Sequence, residues 1–396
     1  MKKKTIGIIL FILATTASVN VFSQASSNEL NNIQTVVPFL VIAPDSRAGA
    51  MGDAGVATSP DCYSMHWNPA KFAFLDGKGG VGISYVPWLR SLVPDMNIAY
   101  LSGYGRIDSK QVISGSLLYS SLGDIQFTDD FGTPQRNFRP NEFAIDAGYS
   151  RLFSEHFSGG IAFRFIYSNL SGGYYTGGTA TKAGISFAAD LSGYYHRNVE
   201  LMSKNSVIAF GLNFSNIGSK MSYSNSQQTE FIPMNMRLGT AGTINLDSYN
   251  KLTLTIDLNK LLVPTPPKYD SNGNIIAGMD PNVPVPVAII QSFYDAPGGF
   301  KEELHEITYS YGVEYWYNNQ FAIRGGYFNE NATKGNRKYF TAGAGFKLNV
   351  ISLDFSYLMP VYQNNALAHT LRFSISFDFD SPKNVTKTKE QPQTNG

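Results

Sequence analysis

The chain has 396 residues, of which 15% are charged and 13% aromatic, and its formal net charge is +1. A soluble protein usually carries roughly 25% charged residues, so the composition argues against a large solvated surface. The neutral balance supplies no basic face for nucleic acid and no general affinity for anionic surfaces.

Lys2, Lys3 and Lys4 precede an apolar run from Thr5 to Ala14. This pattern predicts a secretory signal peptide over residues 1–23, cleaved after Val21-Phe22-Ser23 to leave Gln24 first. The apolar run is too short to span a bilayer as a helix. Cys62 is the only cysteine, so no intrachain disulfide forms and no lipid anchor sits at the cleavage site. No later apolar run approaches the ~18 residues of a membrane helix. A mature chain that enters the membrane therefore does so as a closed barrel.

Residues 24–78 do not alternate like strands. Asp45 to Ala57 is dense in Gly and Ala, and Cys62 to Ala70 ends in His66-Trp67-Asn68-Pro69-Ala70. Small residues permit tight turns and close backbone approach. The glycines lack the Gly-Lys-Ser/Thr ending and preceding strand of a phosphate loop. The segment is predicted to be a compact hatch.

From Gly79 onward the sequence offers 14 candidate strands: 79–86, 95–106, 110–121, 142–153, 157–169, 182–196, 205–214, 232–246, 250–261, 307–318, 320–328, 337–348, 350–358 and 367–379. In one, Leu252, Leu254, Ile256 and Leu258 oppose Thr253, Thr255 and Asp257. In the last, Leu371, Phe373, Ile375, Phe377 and Phe379 oppose Arg372, Ser374, Ser376 and Asp378. Strand side chains alternate faces, so one face is apolar and the other polar. No segment reads as a second layer to cover the apolar faces, which points to lipid. Links after even-numbered strands are short and links after odd-numbered ones long, with about eight residues at 197–204 as the exception. Outer-membrane barrels sort their periplasmic turns and external loops in this way. The fold class predicted is all-β: a 14-stranded antiparallel transmembrane β-barrel over residues 79–379, plugged by residues 24–78 and followed by a polar tail at 380–396.

The longest link, 262–306, carries Asp270-Ser271-Asn272-Gly273-Asn274, which opens like a calcium loop but has Ile275 where that motif needs Gly. A turn is expected instead. Val283 to Ile290 follows, apolar and interrupted by Pro284 and Pro286. Exposed apolar surface marks interaction sites, so Val285, Val287, Ile289 and Ile290 are the expected partner anchors; packing on the barrel rim is the other reading. The polar parity carries Asp146, Asp190, Asp257, Glu314 and Asp354 against Arg164, Arg237, Arg324, Lys347 and Arg372. Such a balance fits a lumen of ion pairs rather than a pore selective for one sign, with Arg47 or Asp53 of the hatch held by opposite-sign residues, among them Arg372 and Glu314. The five histidines lack zinc-type spacing and no Gly-x-Ser-x-Gly elbow occurs. No catalytic, metal or cofactor residues are assigned.

Ser46-Arg47-Ala48-Gly49-Ala50-Met51-Gly52-Asp53, then His66-Trp67-Asn68-Pro69-Ala70-Lys71, then a 14-strand pattern, resembles the FadL-type outer-membrane transporters. Their hatch carries an Asn-Pro-Ala motif, here Asn68, Pro69 and Ala70. The resemblance is closer to the PorV family of the type IX secretion system in the Bacteroidetes, and it covers essentially the whole mature chain. It implies an outer-membrane protein with no enzymatic role and no cofactor. Such a protein accepts secreted cargo through its C-terminal domain at the SprA (Sov) translocon barrel and passes it to the PorU sortase. A FadL-like channel for hydrophobic small molecules and a lipid A deacylase are the alternatives.

Overall fold

The period-2 segments form strands because each has an apolar face to offer lipid and a polar face to offer the lumen. The computed structural model describes residues 30–379 except 129–130, 174, 177–178, 225–228 and 363–364. The signal peptide and tail expected at 1–23 and 380–396 lie outside the described residues.

The strands are β1 (Gly79–Pro87), β2 (Asn97–Arg106), β3 (Gln111–Ser121), β4 (Asn141–Leu152), β5 (Phe157–Asn169), β6 (Gly184–Leu201) and β7 (Lys204–Gly218). They continue as β8 (Asn235–Asn245), β9 (Asn250–Leu261), β10 (Thr308–Tyr317), β11 (Phe321–Asn329), β12 (Lys338–Leu348), β13 (Ile351–Pro360) and β14 (Leu371–Phe379). All 14 pair antiparallel in sequence order, and β1 closes on β14 from Gly79↔Phe379 to Tyr85↔Phe373. Closure leaves no backbone edge unpaired in lipid. Leu254, Ile256 and Phe373 face outward, while Thr253, Thr255, Asp257, Arg372, Ser374 and Ser376 are buried.

One link departs from expectation. The eight-residue connection expected at 197–204 is instead a continuation of the ladder, with Leu201 paired to Lys204. Met202 and Ser203 turn the chain with φ of 53° and 58°. A two-residue hairpin needs positive φ at both positions, and Asn-Gly normally announces it; Met-Ser does not. The same strand pair shifts register between Ala189 and Leu191, opposite Asn216 at φ 59°.

Structure also appears in the long loops. Short hairpins form at Ile125–Thr128 with Pro134–Phe138 and at Lys268–Tyr269 with Ile275–Ala277. Asp270 Oδ1 accepts from the amides of Asn272 and Asn274, both at 2.8 Å, closing the expected turn. The proline-interrupted run forms helix α3 (Val285–Gln291), and α4 (Phe300–His305) follows. Pro286 lies in the first turn, where a helix has no use for its missing N–H.

Residues 31–78 fill the lumen. Short helices α1 (Ser46–Gly49) and α2 (Ser64–Trp67) and 3-10 turns at Pro38–Val41 and Pro69–Phe74 are joined by tight turns. Among the described residues no helix is long and apolar enough to cross a membrane.

Candidate functional site

The hatch is seated on hydroxyls from the polar parity of the wall. Asn68 caps the 3-10 turn, its Oδ1 accepting from the Ala70 amide at 3.1 Å, and its Nδ2 donates to Val56 O and Gly193 O, both at 3.0 Å. Pro69 leaves its carbonyl to Ser150 Oγ at 2.7 Å, and the Ala70 carbonyl takes Ser158 Oγ at 2.7 Å. The Ala70 amide also donates to Ser192 Oγ at 3.0 Å. Asn68, Pro69 and Ala70 thus meet three consecutive strands, β4 to β6. On the opposite wall Ser374 Oγ accepts from the Ser46 amide at 2.8 Å, and Thr341 Oγ1 donates to Ala50 O and accepts from the Gly52 amide, both at 2.9 Å. Asp257 Oδ2 takes the amides of Gly55 and Val56 at 2.7 and 2.9 Å.

The charges sort into separate groups. Arg47 donates to both oxygens of Glu314 at 3.0 and 2.9 Å and to Asp61 Oδ2 at 2.8 Å. Arg324 joins Glu314 at 2.7 Å to Asp354 at 2.6 Å. Asp61 drew no notice in the sequence, because nothing local marks it as Arg47's partner. Arg164 bridges Asp146 at 2.6 Å and Asp190 at 3.2 Å, and also bonds Asn216. Arg372 lies 3.4 Å from Asp53, whose other oxygen accepts from Tyr339 OH at 2.6 Å. Lys347 lies 3.7 Å from Asp378. Arg237 is set apart: its guanidinium stacks 4.6 Å from the Trp67 ring centre and has no ion pair or side-chain hydrogen bond among the described residues.

The long-loop end is covered by a lid built from residues 262–306. Val37, Phe39 and Leu40 pack with Phe231, Ile232, Met234, Leu262, Val263 and Ala288. Of the four expected anchors, Val285 and Ile289 turn inward onto this cluster, whereas Val287 and Ile290 are 46% and 64% exposed. The reason is the helix: residues three or four apart share a face. Val285 and Ile289 thus pack on the barrel rim, and Val287 and Ile290 keep an outward face. Phe293, Tyr294 and Phe300 are exposed as well. A buried charge cluster fastens the lid: Lys260 meets Glu303 at 3.0 Å and Glu306 at 2.6 Å, and Lys334 meets Glu302 at 2.6 Å and Glu306 at 2.9 Å. Asn31 Nδ2 donates to Glu302 Oε1 at 2.9 Å and to Pro266 O at 3.2 Å. The lid and the N-terminal segment are therefore tied together.

Asp295, within the lid, accepts from the Thr265 amide at 3.2 Å, and burial pushes its carboxyl up to about 6. A folded-state value above the unfolded one means that the ionised form opposes folding at higher pH. Lowering the pH from 8 to 5 should firm the lid, read as larger amide protection factors, exchange relative to the intrinsic rate at each pH, around Thr265 and Gln291. Asp295→Asn should be equally firm at both values. Protection factors in the parent chain that ignore pH would show that Asp295 stays hydrated.

These features define a plugged transmembrane barrel of the outer-membrane type, with the short turns periplasmic and the lid external. The chain belongs to the family of type IX secretion system protein PorV, which matches residues 24–268. No curated protein matches it in sequence. In fold it is similar to the Pseudomonas putida toluene transporter TodX, at TM-score 0.50 and 13% identity over 88% of this chain and 99% of TodX. A TodX monoaromatic hydrocarbon channel mutant aligns at TM-score 0.50 and 14% identity over 85% and 99%. At such identity the likeness shows the fold alone. Among the described residues no three His, Cys, Asp or Glu side chains group to hold a metal.

Proposed function

We propose that this protein is a non-catalytic carrier of the type IX system. It receives the C-terminal domain of secreted cargo at the SprA translocon barrel and hands it to the PorU sortase. The observation that carries this reading is the two-faced helix α3. Its inner face closes the barrel, and its outer face keeps Val287 and Ile290 exposed beside Phe293 and Tyr294. Apolar side chains on a rigid, covered element form an interface at little entropic cost. The family supplies the partners, and the external position of the lid suits them.

Val287→Asp with Ile290→Asp should release the protein from the translocon barrel. Central anchors commonly cost more than about 2 kcal/mol each when truncated. The double variant should still show heat-modifiable mobility on gels, while cargo fails to reach the surface. Normal secretion together with retained co-purification would sink the reading. Val285→Asp should instead disturb the lid, because its side chain faces the buried cluster.

A further inference from the structure

Between the hatch and the external half of the barrel lies a cavity of about 700 Å³. Its wall includes Arg237, Asn259, Thr308 and Ser310, and its hatch side includes Ile42 and Trp67. Leu89 and Leu367, from two external loops, line it too. The lining also carries charges: Asp53, Glu306 and Glu330 are paired with Arg372, Lys334 and Arg337, and Asp257 holds two hatch amides. Apolar and aromatic groups beside hydrogen-bonding ones suit a ligand that has both kinds of surface.

Arg237 is 7% exposed, and its partners are unusual. The other arginines and lysines of the lumen groups above each have a carboxylate within 4 Å, whereas Asp257, Asp53 and Asp190 act on Arg237 only from farther away. Trp67 covers one face of this guanidinium at 4.6 Å, and among the described residues no acceptor meets its N–H edge. Trp67 is itself fixed, its Nε1 donating to Asp45 Oδ1 at 2.6 Å and its carbonyl accepting from Asn213 Nδ2 at 3.0 Å. A buried guanidinium without an acceptor is costly, so the position favours an anion that enters the cavity. A planar fork of donors matches a carboxylate in two-point contact.

We infer that Arg237 captures the terminal α-carboxylate of a peptide chain inserted into this cavity from the external side. The inference rests on the cargo-accepting reading above and deepens it. The C-terminal domain would be held by its own chain end: Arg237 takes the carboxylate, and Asn259, Thr308 and Ser310 offer partners to the last backbone groups. The arrangement would discriminate a true chain end from an internal loop, since only the former carries that charge.

The test uses the full-length protein in detergent and a synthetic peptide of the C-terminal strand of a secreted cargo, as free acid and as amide. Binding is read by fluorescence anisotropy. The free acid should bind about tenfold or more tightly than the amide, the usual scale for a charge-assisted hydrogen-bonded pair. Arg237→Gln should erase that ratio, and Arg237→Lys should keep part of it because the charge remains. Heat-modifiable mobility checks that each variant folds. Equal binding of acid and amide to the parent chain would overturn the inference while leaving cargo acceptance standing. A ratio that survives Arg237→Gln would overturn it as well. Binding of neither peptide would count against both readings. Arg237-dependent binding of dodecanoate without peptide binding would assign the site to a free acyl carboxylate and overturn the inference.

Discussion

Glu314→Ala should lower the stability of the folded barrel by about 3–5 kcal/mol, the usual penalty for breaking a buried pair from one side. Glu314 accepts from Arg47 of the hatch and Arg324 of the wall, and its removal takes one carboxylate from each of two buried guanidinium groups. Asp61 and Asp354 each retain one arginine, but the link between hatch and wall is lost. Unfolding in detergent followed by tryptophan fluorescence would read the loss. Adding Arg47→Met to Glu314→Ala should recover part of it, since an apolar side chain removes one of these charges. An unchanged midpoint in the single variant would mean that water fills the lumen around these charges.

Gly326→Val should unseat the hatch. A Cβ at Gly326 would lie 2.1 Å from the Gly52 nitrogen and 2.2 Å from the Met51 carbonyl carbon. Those are backbone atoms, so no side-chain rotation relieves the clash. The cost should exceed the roughly 1–3 kcal/mol of ordinary overpacking, because the bonds from Thr341 to Ala50 and Gly52 break with it. The bonds of Tyr63 to the β1–β14 seam lie outside β11 and remain, so the wall itself should still close. Protease cleavage within residues 45–57 and a rise in conductance across planar bilayers are the expected readouts. Gly242→Val is the control, because its Cβ would meet nothing within 4 Å. A sealed, protease-resistant Gly326→Val barrel would refute the close seat of the hatch on β11.

The barrel was legible because its cause is local. Alternation in Leu252 to Leu258 and in Leu371 to Phe379 marks both faces at once, and loop length sorts by strand parity. The lid helix was not, because Pro286 reads as a breaker unless the first helical turn is known to begin at Val285. The Met202-Ser203 turn was missed for lack of Gly or Asn. In the hatch, the motif residues stand out by composition, but their partners lie far away in sequence. Ser374 and Ser46 are separated by 328 positions, and Glu314 and Arg47 by 267. Serine on a lumen-facing parity carries no sign of which hatch carbonyl it will meet. Arg237 reads as one more member of a balanced set, and only its position shows that no hydrogen-bond acceptor among the described residues meets its guanidinium.

The seam between β1 and β14 joins the two ends of the barrel, and a slip by two residues there would keep every face correct. Tyr63 bears on that ambiguity. Its hydroxyl donates to Ile83 O on β1 at 3.1 Å and to Ile375 O on β14 at 2.8 Å, two residues that are themselves register partners. Beside it Ser84 Oγ donates to Pro44 O at 2.6 Å and lies 2.8 Å from Ser374 Oγ. These bonds exist together only when the seam is in the observed register. A segment made before any strand thus acts as a gauge for the last strand to arrive. Closing the cylinder and filling it become one cooperative event, so an empty barrel of this sequence would also be one whose seam is poorly specified.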